Sequence, residues 1–128
     1  MTSKEPMGEN EAISVDEKSQ IILEAIREKK GKQIVTIDLS EVDHSICDRF
    51  IICHGESTTQ VGAIADSIAK ELKEKAGIRA HHVEGLQNSQ WVLIDLFDVL
   101  VHVFQEDFRS FYRLEELWAD GKVVMEKE

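Results

Sequence analysis

The feature that most limits how this chain can fold is the mostly apolar run WVLIDLFDVLVHVF at 91–104. It is long for one strand, since strands usually have about five or six residues, and it is rich in residues that favour strands. Asp95 and Asp98 bracket Leu96 and Phe97 in the middle of the run, where polar residues are typical of a turn. The run therefore predicts two antiparallel strands with a tight turn near Leu96 and Phe97, although the glycine that such turns favour is absent.

Two amphipathic helices are predicted before this run. The first begins at Ser14 with a capping box and ends at Gly31. The second begins at Ser57, also with a capping box, and ends at Gly77. Its apolar residues recur at helical spacing on one side: Val61, Ile64, Ala65, Ile68, Ala69 and Leu72.

Further strands are predicted at 32–39, at 49–54 and around 79–83, and short helical turns at 106–118. The resulting order is α-β-β-α-β-β-β-α. It predicts a mixed β-sheet with flanking helices, of the α/β or α+β class, in two or three layers.

The organisation along the chain is predicted to be one domain with two polar ends. Residues 1–12 are polar, carry the single proline and show no periodicity, which is typical of a disordered tail. Residues 13–119 form the domain, and residues 120–128 are interpreted as a charged C-terminal tail.

The charge balance argues against nucleic acid as a direct partner. The chain has 25 acidic and 15 basic residues, a net charge of −10, and no basic cluster longer than Lys29-Lys30. Binding to phosphates needs a basic patch, whereas an acidic protein is electrostatically matched to a basic protein partner. Because neither a membrane span nor a secretory signal is recognisable, a cytoplasmic location is expected and a membrane is not.

No residue pattern favours catalysis, a cofactor or a metal. The five histidines and the cysteines Cys47 and Cys53 lack the spacings of metal or redox sites, so buried free thiols are expected. Ser57 is explained as a helix cap. Asp95 and Asp98 are three residues apart, which on a straight strand places them on opposite faces. The chain is therefore interpreted as a binding protein and not as an enzyme.

Aromatic residues are concentrated near the C-terminus. Phe104 and Trp118 are predicted to be core residues. One small sheet cannot easily bury all the other rings, and exposed tryptophan and tyrosine are typical of protein interfaces. The remaining aromatic residues of this region are Trp91, Phe97, Phe108, Phe111 and Tyr112.

Several motifs, in the same order, resemble the ribosomal silencing factor family, also called RsfS, YbeB or Iojap-like proteins. The match covers about 13–119. The motifs are D-x-F-I-I-C-x-G-x-S at 48–57, Q-V-x-A-I-A-D at 60–66, E-G at 84–85, W-x-L-I-D-x-x-D-V-x-V-H-x-F at 91–104 and R-x-x-Y-x-L-E-x-L-W at 109–118.

This resemblance implies a nucleotidyltransferase-like fold that has lost its catalytic carboxylates. It implies binding to the large-subunit ribosomal protein number fourteen, which blocks association with the small subunit and represses translation when nutrients are scarce. The family's contact residues correspond to Trp91 and Leu96. Further motif positions are expected at or beside that surface: Asp95, Asp98, His102, Arg109 and Tyr112.

This chain departs from the family pattern at one position, and its sequence also leaves other functions and a dimer open. The family usually has a small residue, often glycine, where this chain has Phe97, so a bulky ring is expected near the contact surface. A nucleotidyltransferase-type enzyme or nucleotide-binding protein is the main alternative function. An interaction module that acts away from the ribosome is another, and a homodimer of the free protein is left open.

Overall fold

A computed structural model describes residues 13–112 and 120–128, with backbone alone at 110–112. The predicted tail at 1–12 and the predicted core residue Trp118 lie outside these ranges. The described elements are α1 (Val15–Glu28), β1 (Lys32–Asp38), β2 (Arg49–Gly55), α2 (Thr58–Ala76), β3 (His82–Glu84), β4 (Trp91–Asp95), β5 (Val99–Gln105), α3 (Glu106–Tyr112) and β6 (Lys122–Met125).

The described strands form one mixed sheet in the order β3-β4-β5-β2-β1-β6. β2 and β5 run parallel, and the other neighbouring strands are antiparallel. The hairpin predicted from the apolar run is confirmed, with Trp91 of β4 opposite Phe104 of β5. The predicted class, a mixed sheet with flanking helices, is confirmed as well.

The N-terminus of α2 is tied to the C-terminus of α1 by Gln60. The Ser57 hydroxyl accepts from the Gln60 N–H at 3.1 Å, as the sequence predicts. In a complete capping box the Gln60 side chain would also accept from the N–H of Ser57. Here it accepts instead from the N–H of Glu56. Its amide nitrogen donates to the carbonyls of Lys29 and Lys30, so one side chain joins both helix ends.

Among the described residues, the two faces of the sheet carry apolar clusters of unequal size. α1 and α2 pack on one face, where their apolar sides meet alternate residues of the strands such as Val92, Ile94 and Val101. The opposite face carries Phe50, Phe104 and a second, smaller cluster. Strand alternation produces this division, since successive side chains point to opposite faces.

The C-terminal segment differs from the prediction. The sequence predicts a charged tail at 120–128, but Lys122–Met125 form the edge strand β6 beside β1. All four β6 residues are exposed, so this strand has no buried side that alternating apolar and polar residues would reveal in the sequence. The strand predicted around 79–83 is also shorter and later, at His82–Glu84.

The β4–β5 turn places a bulky residue in a glycine-type conformation. The N–H of Leu96 donates to the carbonyl of Val99, which leaves Phe97 and Asp98 as the loop residues. Phe97 has a φ of 72° and is 58% exposed. The carbonyl of Leu96 accepts from the N–H of Asp98 at 2.9 Å, so the positive φ of Phe97 belongs to a γ-turn, a strained geometry that glycine adopts more easily. The ring packs against His81, with centroids 4.2 Å apart.

Replacing Phe97 with glycine is expected to stabilise the fold. The left-handed conformation costs a residue with a Cβ about 1–2 kcal/mol, and part of this gain is offset by the greater freedom of glycine in the unfolded chain. The net increase in the free energy of unfolding should be about 0.5–1 kcal/mol. Urea denaturation measures it. Phe97→Ala is the matched control, because it removes the ring but keeps the Cβ; an equal gain in that variant would show that backbone strain is not the cause.

Candidate partner-binding face

Trp91 lies on the sheet face opposite α1 and α2, where contacts with described residues orient its ring. Its indole stacks on Phe104, with ring centroids 5.1 Å apart and planes at 25°. Its Nε1–H donates to Nδ1 of His102 at 3.1 Å. Trp91 is partly exposed, so an oriented aromatic residue borders solvent.

Two leucines continue this surface. Leu93 follows on the same side of β4, and Leu100 lies opposite Asp95 on β5; both are partly exposed. We call the surface formed by Trp91, Leu93, Asp95 and Leu100 the Trp91 face. A rigid, partly exposed aromatic residue with aliphatic neighbours is the usual composition of the centre of a protein interface.

The loop before β4 shapes one side of the Trp91 face. A shallow cleft of about 140 Å³ is lined by Gly85, Asn88, Gln90, Trp91 and Phe108. Gly85 has a φ of 92°, and a Cβ at this position would lie 2.1 Å from the Trp91 carbonyl oxygen. The E-G motif therefore has a steric reason, because only glycine lets this loop pass so close to the Trp91 backbone.

The rim on the β3 side carries acidic groups. Residues opposite each other in a sheet share a face, and Glu84 pairs with Leu93 while His82 pairs with Asp95. The Glu84 carboxylate lies 2.7 Å from the His82 ring. An apolar centre with carboxylates at its edge is suited to a basic partner.

Leu96 does not belong to this face, which corrects the sequence-based placement. Its side chain is 0% exposed and packs in the core beneath α1 and α2. Trp91 and Leu96 are five positions apart, an odd number, so strand alternation directs them to opposite faces. The expectation that both residues lie on one surface is wrong for this structure, in which Leu93 is the leucine of β4 that shares the face of Trp91.

The two aspartates of the turn have internal roles. Asp95 accepts from the N–H of Phe97 at 2.9 Å, which supports the turn. The Asp98 carboxylate lies 2.7 Å from Nζ of Lys18, whose side chain is fully buried in α1. The Asp98 carbonyl accepts from the N–H groups of Asp48 and Arg49. Asp98 therefore joins the hairpin to α1 and β2, and its carboxylate points away from the Trp91 face.

His102 and Arg109 are likewise held inside the protein. His102 lies beneath Trp91, is 5% exposed, and has its pKa lowered to about 4 by burial. Arg109 is buried and donates to the carbonyl of Gln33 and to Nδ1 of His54. The side chain of Tyr112 lies outside the described atoms. Of the predicted site residues whose side chains the structure describes, Trp91 and Asp95 are thus the ones that reach the partly exposed face.

The described residues offer little reactive chemistry. Both cysteines are buried free thiols, as predicted, and burial raises the pKa of Cys47 to about 11 and that of Cys53 to about 12. Such thiols stay protonated at neutral pH. Within 13–112 and 120–128, no three His, Cys, Asp or Glu residues are arranged to hold a metal ion. No helix in the same ranges is long and apolar enough to cross a bilayer.

Comparison with known proteins agrees with the motifs. The family model described as "ribosomal silencing factor during starvation" matches residues 12–128. A ribosomal silencing factor of Halalkalibacterium halodurans is 43% identical over 112 residues, which cover 88% of this chain and 94% of that protein. The one from Bacillus subtilis is also 43% identical, over 82% of this chain and 87% of its own length.

Solved structures agree with the fold. A crystal structure from Chromobacterium violaceum is 36% identical, has a TM-score of 0.79 and covers 91% of this chain and 95% of its own. A second, from Bacillus halodurans, is 40% identical with a TM-score of 0.73, over 87% of this chain and 99% of its own. The match to the family model extends through residue 128 and so includes the segment that forms β6. On sequence and fold together, the chain belongs to the ribosomal silencing factor family.

Proposed function

We propose that this protein silences ribosomes by binding the large-subunit ribosomal protein number fourteen through the Trp91 face, which blocks association with the small subunit. The observation that carries the proposal is the partly exposed indole of Trp91, fixed by stacking on Phe104 and by its hydrogen bond to His102. The names of the relatives, ribosomal silencing factors, support a ribosome as the partner.

The mechanism follows from size and position and needs no reaction. A 128-residue protein that occupies part of the face between the subunits would sterically exclude the other subunit. Translation falls because separated subunits cannot form a complete ribosome. In the cytoplasm, such repression would conserve resources when nutrients are scarce, as the family description "during starvation" suggests.

The charge of the protein supports a protein contact over an RNA contact. With a net charge of −10, the chain is repelled by the phosphates that dominate a ribosomal surface. A basic ribosomal protein offers the complementary charge, which speeds encounter and excludes wrong orientations. The acidic rim beside the Trp91 face fits such a partner, and binding should weaken as salt is added.

Subunit joining tests this proposal. Purified protein in excess over separated subunits should reduce the fraction of assembled ribosomes in sucrose-gradient sedimentation, and it should travel with the large subunit. Met125→Ala is a suitable control, because it removes an exposed apolar side chain (71% exposed) on the edge strand β6, away from the Trp91 face. Full joining at saturating protein would rule out the proposed mechanism.

A further inference from the structure

Trp91 and His102 form a diagonal pair across the β4–β5 hairpin. Trp91 is directly opposite Phe104, and Leu93 is directly opposite His102, so the two rings lie one diagonal apart on the same face. Long side chains reach across such diagonals. Here the two side chains form a hydrogen bond across the diagonal, in which the indole Nε1–H of Trp91 donates to Nδ1 of His102 at 3.1 Å.

This bond defines the tautomer of His102. An indole nitrogen can only donate, so Nδ1 must be unprotonated and must accept. A neutral ring then carries its proton on Nε2. Burial lowers the pKa of His102 to about 4, which keeps the ring neutral under physiological conditions.

The Nε2 nitrogen of the same ring makes no comparable hydrogen bond to the described residues. Nε2 of His102 is buried and has no hydrogen-bond partner in the part of the chain that the structure describes. The ring lies against Phe50 (centroids 4.9 Å apart) and near Phe104 (6.3 Å). A buried donor without a partner lowers stability, and an apolar side chain would suit these surroundings better. Histidine is thus costly for folding here, and what it provides is an acceptor beneath Trp91.

We infer that His102 is a positioning residue that fixes the indole of Trp91 in its binding orientation without touching the partner. The inference rests on the proposed function, since it concerns the same face. An unfixed tryptophan would lose rotational freedom on binding, and that loss would weaken the complex. A tryptophan that is already held loses less, so the acceptor contributes affinity through preorganisation.

Two substitutions separate the acceptor from the ring. His102→Leu removes the acceptor and gives the site an apolar side chain. His102→Asn places an amide oxygen near the position of Nδ1 and can still accept the indole N–H. We expect His102→Leu to fold with a melting temperature at or above that of the wild type, yet to bind large subunits about fivefold more weakly. His102→Asn should bind within about twofold of the wild type.

NMR gives a readout that a purely structural role would not change. In the wild type, the imidazole nitrogens of His102 should show the Nε2–H tautomer. In His102→Leu, the Nε1–H resonance of Trp91 should move to the position of a solvent-exposed indole, and in His102→Asn it should stay near its wild-type position. The Nδ1–H tautomer in the wild type would overturn the inference even if His102→Leu failed to fold.

A double-mutant cycle links the effect to Trp91. In a Trp91→Ala background, His102→Leu should weaken binding no further, because the positioned ring is gone. An equal loss in both backgrounds, or wild-type binding by His102→Leu alone, would overturn the positioning role and leave the proposed function intact. Wild-type binding by Trp91→Ala would instead contradict both, since the face itself would then be wrong.

Discussion

Replacing Trp91 with alanine is expected to weaken binding to the large ribosomal subunit about thirtyfold, a loss of about 2 kcal/mol. The indole is the largest partly exposed side chain of the Trp91 face and is already oriented by Phe104 and His102. Its truncation should also cost about 1–2 kcal/mol of folding stability, less than for a fully buried aromatic residue. Co-sedimentation with purified large subunits measures the first effect, and urea denaturation the second.

Leu96→Ala is the matched control for this result. Leu96 is fully buried in the core, so its truncation should lower the free energy of unfolding by about 2–5 kcal/mol. The fraction that remains folded should bind like the wild type. Leu93→Ala, on the Trp91 face, should show the opposite pattern of weaker binding with a smaller loss of stability. If Leu96→Ala weakens binding more than Trp91→Ala in folded protein, the assignment of the faces is wrong.

Asp98→Asn should have the largest effect on stability outside the apolar core, about 3 kcal/mol. The Lys18 ammonium is fully buried, and Asp98 supplies a carboxylate oxygen 2.7 Å away. Asparagine keeps the shape of the side chain but removes the negative charge that lies 2.7 Å from the buried ammonium. Urea denaturation at neutral pH measures the change.

A second substitution tests whether charge is the cause. In the double variant Lys18→Met with Asp98→Asn, both charges are gone, and stability should return to within about 1 kcal/mol of the wild type. The folded double variant should still bind large subunits, because the Asp98 carboxylate faces α1 and not the Trp91 face. A loss below about 1 kcal/mol in Asp98→Asn alone would place this pair among ordinary surface ion pairs.

Local patterns account for the parts of the fold that the sequence predicts correctly. Ser14 and Glu17 are three residues apart and form the reciprocal capping box that begins α1. Gly77 ends α2 in the left-handed conformation that glycine favours. The hairpin in the 91–104 run was predictable because two aspartates interrupt an apolar stretch that is long for one strand.

The errors arise where pairing or side-chain direction decides the outcome. β6 is short and fully exposed, and its place beside β1 depends on a distant part of the chain. Leu96 was placed with Trp91 on the basis of family resemblance, although the alternation rule assigns them to opposite faces and could have identified Leu93. The sequence predicts that α1 ends at Gly31, but Lys30 is the residue with the positive φ, and a Cβ at Gly31 would lie 2.4 Å from Ile26.

A cryo-electron microscopy map of this protein bound to the large ribosomal subunit would show directly whether the Trp91 face makes the contact. The proposed function predicts density for the protein on the face that receives the small subunit. The Trp91 ring should lie within about 4 Å of ribosomal protein number fourteen, and α1 and α2 should point away from that protein. Density on another surface, or contact made through the helices while Trp91 faces solvent, would be incompatible with the proposed function.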